Sequence, residues 1–83
     1  MMYQLRLKPS AEKNLRRIPK RDRFRIFAAF AILIKTPFLG KKLKEEYQGQ
    51  WSYRVWPYRI IYAIHKNELL ILVLRVAHRQ RVY

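Results

Sequence analysis

The hydrophobic pattern of this chain switches from strand-like alternation to a helical period and back again. From Tyr3 to Lys8 (YQLRLK) apolar and polar residues alternate, with Tyr3, Leu5 and Leu7 on one side, as in a half-buried strand. Pro9 and Ser10 end that run, and Ser10 stands where it can cap a following helix. Ala11, Leu15 and Ile18, spaced by four and three, form one apolar stripe on a short helix closed by Pro19, with a basic opposite face. A second helix is expected from Lys20 to Lys35, stopped by Thr36-Pro37. Its apolar residues fall into two stripes. Phe24, Phe27, Ala28, Ala31 and Ile34 are expected to face the core, and Ile26, Phe30 and Leu33 to be covered by the first helix, with a partner as the alternative.

Beyond a lysine-rich loop from Gly40 to Lys44, three β-branched and aromatic runs follow: WSYRVW at 51–56, YRIIYAIH at 58–65 and ELLILVLRV at 68–76. Pro57 and Lys66-Asn67 separate them, so neighbours pair antiparallel. Lys66-Asn67 suits a two-residue hairpin, because Asn tolerates positive φ. The expected fold is α+β, in the order β-α-α-β-β-β, with a small, mainly antiparallel sheet flanked by two helices. No repeat or linker interrupts it, so residues 1–83 read as one domain.

Composition narrows the class. A chain of 83 residues buries only about 60–65% of its unfolded surface, so the core must be economical. With 51% hydrophobic residues the chain is not intrinsically disordered, and with no Cys it has neither disulfides nor thiolate metal sites. Nineteen Lys and Arg against five acidic residues give a formal charge of +14, which calls for nucleic acid or an acidic protein as partner. The longest apolar run, IFAAFAILI at 26–34, is half the length of a membrane span, and no stretch resembles a signal peptide. The expectation is a cytoplasmic protein without membrane contact.

Arginines recur at positions where a sheet with helices on one side would gather them on the other. Arg54 and Arg59 alternate with apolar neighbours; Arg75 and Arg79 share a parity with Ile71 and Val73, and His78 takes the opposite one. Arginine forks match phosphate geometry, and Trp56 and Tyr58 offer faces on which unpaired bases can stack. The pattern therefore fits a single-stranded RNA surface. His65 and His78 lack metal-ligand spacing, there is no Gly-rich phosphate loop, and Glu12, Asp22, Glu45, Glu46 and Glu68 do not form a carboxylate dyad. Neither metal nor cofactor is expected.

Four segments, LKPSAEKNLRRIPK, TPFLGKKLK, GQWSYRVWPYRIIYAI and VLRVAHRQRVY, resemble in order and spacing the RelE/ParE superfamily of small toxins from toxin–antitoxin modules. The Tyr-Arg followed by aliphatics and Tyr62, and the terminal His-Arg followed by Val-Tyr, are the most specific parts. For the RelE-like branch the resemblance implies an endoribonuclease that cleaves messenger RNA in the ribosomal A site and so inhibits translation. It also implies a RelB-like antitoxin, which bridges the toxin to operator DNA. By position, the functional residues it implies are Arg54, Arg59, Arg79 and Tyr83, with His78 directly before Arg79; because an arginine is too basic to serve as a base, His78 or Tyr83 is left for proton transfer. Lys13, Arg16, Arg17, Lys20, Arg21, Lys41, Lys42 and Lys44 are the expected contacts to ribosome and RNA. The chain departs from the pattern at Trp56-Pro57, where many relatives have Gly-Asp, and at Ala77, where many have Gly. The competing readings are a ParE-like inhibitor of DNA gyrase and an inactive toxin acting as corepressor with its antitoxin. His78, Arg79 and Tyr83 favour the nuclease, because a gyrase binder has no need of phosphate-clamping groups there.

Overall fold

The computed structural model describes residues 2–81. Its elements, in chain order, are strand β1 (Gln4–Leu7), helices α1 (Pro9–Arg17) and α2 (Lys20–Lys35), and strands β2 (Lys41–Lys42), β3 (Gln50–Val55), β4 (Tyr58–His65) and β5 (Leu70–His78). The strands form one sheet in the order β1-β5-β4-β3-β2. All described neighbours are antiparallel except β1 and β5, which run parallel. The expected α+β architecture holds. The lysine-rich loop differs from the reading in one respect: Lys41 and Lys42 pair with Ser52 and Trp51 as a short edge strand.

Both helices cover one face of the sheet. Ala11, Leu15 and Ile18 of the first helical stripe meet Ile60, Tyr62, Ile71, Val73 and Val76, with Tyr3, Leu5 and Leu7 packed beside them. Helix α2 is turned the other way from the expectation. Ile26, Ala29, Phe30 and Leu33 are buried, while Phe24 and Phe27 are 63% and 48% exposed and Ala28 and Ala31 lie open. The reason is volume and continuity. The buried set follows the i, i+3, i+4, i+7 rule with three large side chains, whereas the outer stripe spends two positions on Ala. One sheet face leaves room for only one of them.

Strand β5 bulges where β1 ends. Tyr62 pairs with Val73 but Ile61 with Arg75, so Leu74 is the extra residue. Past Val73 no strand covers that edge, and α1 supplies the missing partners. Ser10 Oγ donates to the Leu74 carbonyl at 2.6 Å, and Val76 N donates to Asn14 Oδ1 at 3.1 Å. Ser10 is therefore not the helix cap that its position suggested: Lys8 occupies that place, without a side-chain cap. The bulge also reverses the side-chain alternation. Val76 joins Ile71 and Val73 in the main core, so Arg75 leaves the parity read from the sequence.

The β4–β5 connection is longer than the two-residue turn expected. Lys66–Glu68 form a 3-10 turn, and Leu69, not Asn67, takes the left-handed conformation at φ 50°. Its carbonyl accepts from Gln4 N at 2.8 Å, so the turn is shaped by docking of β1.

Tyr62, fully buried, ties the sheet to the segment leaving α2. Its hydroxyl donates to the Pro37 carbonyl at 2.8 Å and accepts from Gly40 N at 3.1 Å. A side chain at Gly40 would strike that hydroxyl and come within 2.9 Å of the Ser52 carbonyl. Burial pushes the Tyr62 phenol up to about 12, above its ordinary value of 10.0. The neutral form is thus favoured in the folded state, so this stabilisation is complete below pH 10 and disappears as pH rises through 12. Tyr62→Phe, which strands a carbonyl and an N–H, is expected to cost about 1–3 kcal/mol at neutral pH. In urea titrations the advantage of the parent over this variant should shrink steadily between pH 10 and 12; a constant difference would refute the account.

Candidate nucleic-acid interface

Trp56 and Pro57 make the tight turn between β3 and β4, and the cationic residues gather around it. The strands place Arg54 directly opposite Arg59. Tyr58 and Ile60 pack toward the helices, so Arg59 points to the other face, next to Ala77 of β5. Arg79 begins the 3-10 turn that follows β5, anchored by its N–H to the Pro57 carbonyl at 2.7 Å. The guanidinium carbons of Arg79 and Arg54 lie 4.8 and 5.9 Å from the centre of the Trp56 ring, which is itself 49% exposed. Three arginines and an open indole therefore share one end of the sheet.

Like charges directly opposite one another in a sheet are destabilising. Here no described carboxylate compensates them. Arg25 pairs with Asp22 at 3.3 Å and His65 lies 3.9 Å from Glu68, but no described carboxylate pairs with Arg54, Arg59 or Arg79. No three His, Asp or Glu side chains gather as metal ligands among the described residues.

His78 is on the other side. It pairs in register with Tyr58, and the two rings meet edge to face at 5.7 Å. Both line an open groove of about 540 Å³ together with Asn14 and Arg17 of α1. Tyr58 is no stacking platform. Its ring is half-buried, and its hydroxyl, bonded to Asp22, is held above the ordinary phenol value by burial and by that carboxylate. Asp22 sits on the buried side of α2, a partner that sequence periodicity could have flagged as the one acidic residue continuing the core stripe.

The remaining candidates form two groups. Lys13, Arg16, Arg17, Lys20 and Arg21 are exposed on α1 and the start of α2; Lys41, Lys42 and Lys44 are exposed along the β2 edge. Tyr83 lies outside the described residues.

The opposed arginines carry a measurable cost. Arg59→Thr, which suits a strand and ends the like-charge pair, is expected to stabilise the fold by about 0.2–1 kcal/mol at low salt. The gain should fade in thermal melts at high ionic strength; a less stable variant at low salt would contradict the reading.

A model of the ParE toxin of type II toxin–antitoxin systems, parDE, matches residues 5–83. The chain is 33% identical over 85 residues to the toxin RelG of Mycobacterium tuberculosis (strain ATCC 25618 / H37Rv), spanning 100% of this chain and 98% of the relative. To the toxin RelE of the same strain it is 30% identical over 87 residues, spanning 98% and 86%. Its fold matches the toxin–antitoxin complex RelBE2 from Mycobacterium tuberculosis with a TM-score of 0.89 at 32% identity, covering 95% of this chain and 100% of that one. The archaeal RelE–RelB complex from Pyrococcus horikoshii OT3 shares the fold at a TM-score of 0.83 and 24% identity, covering 99% and 100%. The four segments at which the resemblance was read lie within the matched span, and the chain belongs to the RelE/ParE family of toxins from type II toxin–antitoxin systems.

Proposed function

We propose that this toxin is a ribosome-dependent endoribonuclease that cuts messenger RNA in the decoding site and is silenced by an acidic, RelB-like antitoxin. The observation that carries the reading is the uncompensated pair Arg54–Arg59 beside Arg79 and the exposed Trp56 ring. Attack of a 2′-hydroxyl on the adjacent phosphorus builds negative charge on the phosphoryl oxygens while the bond to the 5′-oxygen breaks. Arg59 and Arg79 meet that charge, Arg54 holds a flanking phosphate, and Trp56 stacks on a base. An arginine is too basic to accept the proton, so proton transfer falls to another group or to the ribosome-bound RNA itself.

Primer extension on a translated message tests the class. Cleavage only with ribosomes is expected; gyrase poisoning without RNA cleavage would reverse the assignment. In saturating single-turnover assays, Arg59→Ala and Arg79→Ala should each lower the rate by roughly 100-fold or more with ribosome binding nearly intact, the scale of one lost oxyanion-type donor. Lys20→Ala should instead weaken binding and its salt dependence with little change in the saturated rate. Parental rates for both arginine variants would reduce the cluster to a docking edge.

The outer stripe of α2 supports the partner. Phe24, Phe27, Ala28, Ala31 and Ile32 form an exposed apolar band flanked by Arg21, Arg25 and Lys35, the complement of an acidic amphipathic helix. Phe24→Glu should bind the antitoxin roughly 10- to 100-fold more weakly in calorimetry, the scale of one buried aromatic side chain. An unchanged affinity would place the antitoxin elsewhere.

A further inference from the structure

The groove on the helix side of the sheet end is not part of the arginine cluster, yet only one peptide bond separates them: His78 lines the groove and Arg79 lies over Trp56. On the helix side the groove is lined by Asn14, Arg17, Tyr58, His78 and Gln80, none of them acidic, beside the buried Ile18 and Val76. The nearby carboxylate, Asp22, is occupied by Tyr58 and by Arg25 at 3.3 Å. Asn14 accepts from Val76 N through Oδ1, which leaves its two amide N–H groups as donors.

The imidazole is set up in the same sense. Gln80 N donates to His78 Nδ1 at 3.4 Å. With that lone pair engaged, the proton of the neutral ring sits on Nε2, and the free nitrogen is a donor and not a base. A group so disposed grips an anion; it does not take a proton from a 2′-hydroxyl.

We infer that this groove is a second RNA subsite, in which His78 and Arg17 bind the backbone phosphate next to the one held by the Arg54–Arg59–Arg79 cluster. A single strand lying across the turn at Trp56 and Pro57 places successive phosphates on the two sides of the sheet end. A repeating polyanion is the ligand that fits two cationic sites on either side of an exposed indole; an acidic peptide would find little apolar anchor, because Ile18 and Val76 of the lining are buried. His78 is thus a binding residue, distinct from the proton-transfer role its place in the sequence suggested. The inference rests on the RNA reading of the arginine cluster.

The test is fluorescence anisotropy with a labelled, uncleavable 2′-O-methyl hexanucleotide and the full chain, without ribosomes. His78→Phe preserves the ring and its edge contact with Tyr58 but removes the donor. Arg17→Gln changes an exposed helix position and serves should the first variant fold poorly. Each is expected to weaken binding about 5- to 10-fold, and Arg17→Gln to lower the salt slope by about 0.7. The double variant should lose less than the product of the two, because both grip one phosphate. Parental affinity in both single variants overturns the subsite. So does a cleavage defect of His78→Phe confined to the saturated rate with oligonucleotide binding intact, which returns His78 to proton transfer. Loss of polyglutamate binding with oligonucleotide binding unchanged makes the groove a protein contact and equally overturns it. Because the assay needs no cleavage, a chain that binds through the groove yet cuts no message sustains the subsite while refuting the nuclease reading.

Discussion

The seam between α1 and the bulge of β5 is the constraint on which the rest of the molecule hangs. Strand β1 stops at Leu7, opposite Val73, and leaves the edge of β5 open just where Leu74 is inserted. Two α1 side chains close it, Ser10 on the Leu74 carbonyl and Asn14 on the Val76 N–H. An unpaired backbone group costs about as much as a lost hydrogen bond, so these side chains hold the bulge in place. The bulge in turn decides which residues face which side beyond it. Val76 and His78 go to the helices, Ala77 to the open face beside Arg59, and the chain arrives at Pro57 so that Arg79 reaches Trp56. Without the inserted residue, every side chain after Val73 would exchange faces.

Charge imposes the second constraint. In so small a domain the sheet end could have been neutralised by one or two carboxylates, but the described acidic residues are placed elsewhere. Asp22 is engaged with Tyr58 and Arg25, Glu68 lies near His65, and Glu45 and Glu46 are exposed in the loop after β2. The fold tolerates the repulsion because the arginines are partly solvated and one indole lies under two of them. Such an arrangement sacrifices some stability to keep unpaired positive charge at one end of the sheet.

Most of the elements were legible because their patterns admit one reading. The stripe Ala11, Leu15, Ile18 and the alternation of Tyr3, Leu5 and Leu7 each leave a single face to bury, and the first is buried while the second packs half-buried against the core, as read. Helix α2 misled because it is apolar on two faces; periodicity finds stripes but cannot rank them when their hydrophobicity is similar. The sides of Arg75 and His78 could not be read at all by counting in twos, since a bulge makes no mark on hydropathy. The turn at Lys66–Glu68 follows a long-range bond from Gln4 to Leu69, and Ser10 was diverted from its local capping role by a residue 64 positions away. In each case a tertiary partner overrode a local preference. The arginines of the candidate site were legible as residues, and their meeting at Trp56 emerges only from the strand register.

The cations of the β3–β4 turn differ in kind from those of the β2 edge, and the difference bears on what each group can do. Around that turn and the end of β5 the described basic side chains are Arg54, Arg59, Arg75 and Arg79, with His78, whereas the β2 edge carries Lys41, Lys42 and Lys44. The helices mix both kinds, with Lys13, Lys20 and Lys35 among Arg16, Arg17, Arg21, Arg23 and Arg25. A guanidinium presents a rigid fork that matches two phosphate oxygens and stacks on an indole, whereas an ammonium acts at close range as a hydrated point charge. Ammonium groups along the β2 edge therefore act chiefly through a long-range field that falls with salt, while guanidinium groups at the turn can make short, directional bonds. Guanidinium geometry is thus concentrated at the one end of the sheet where an open indole lies within reach of it, while the β2 edge carries ammonium groups alone.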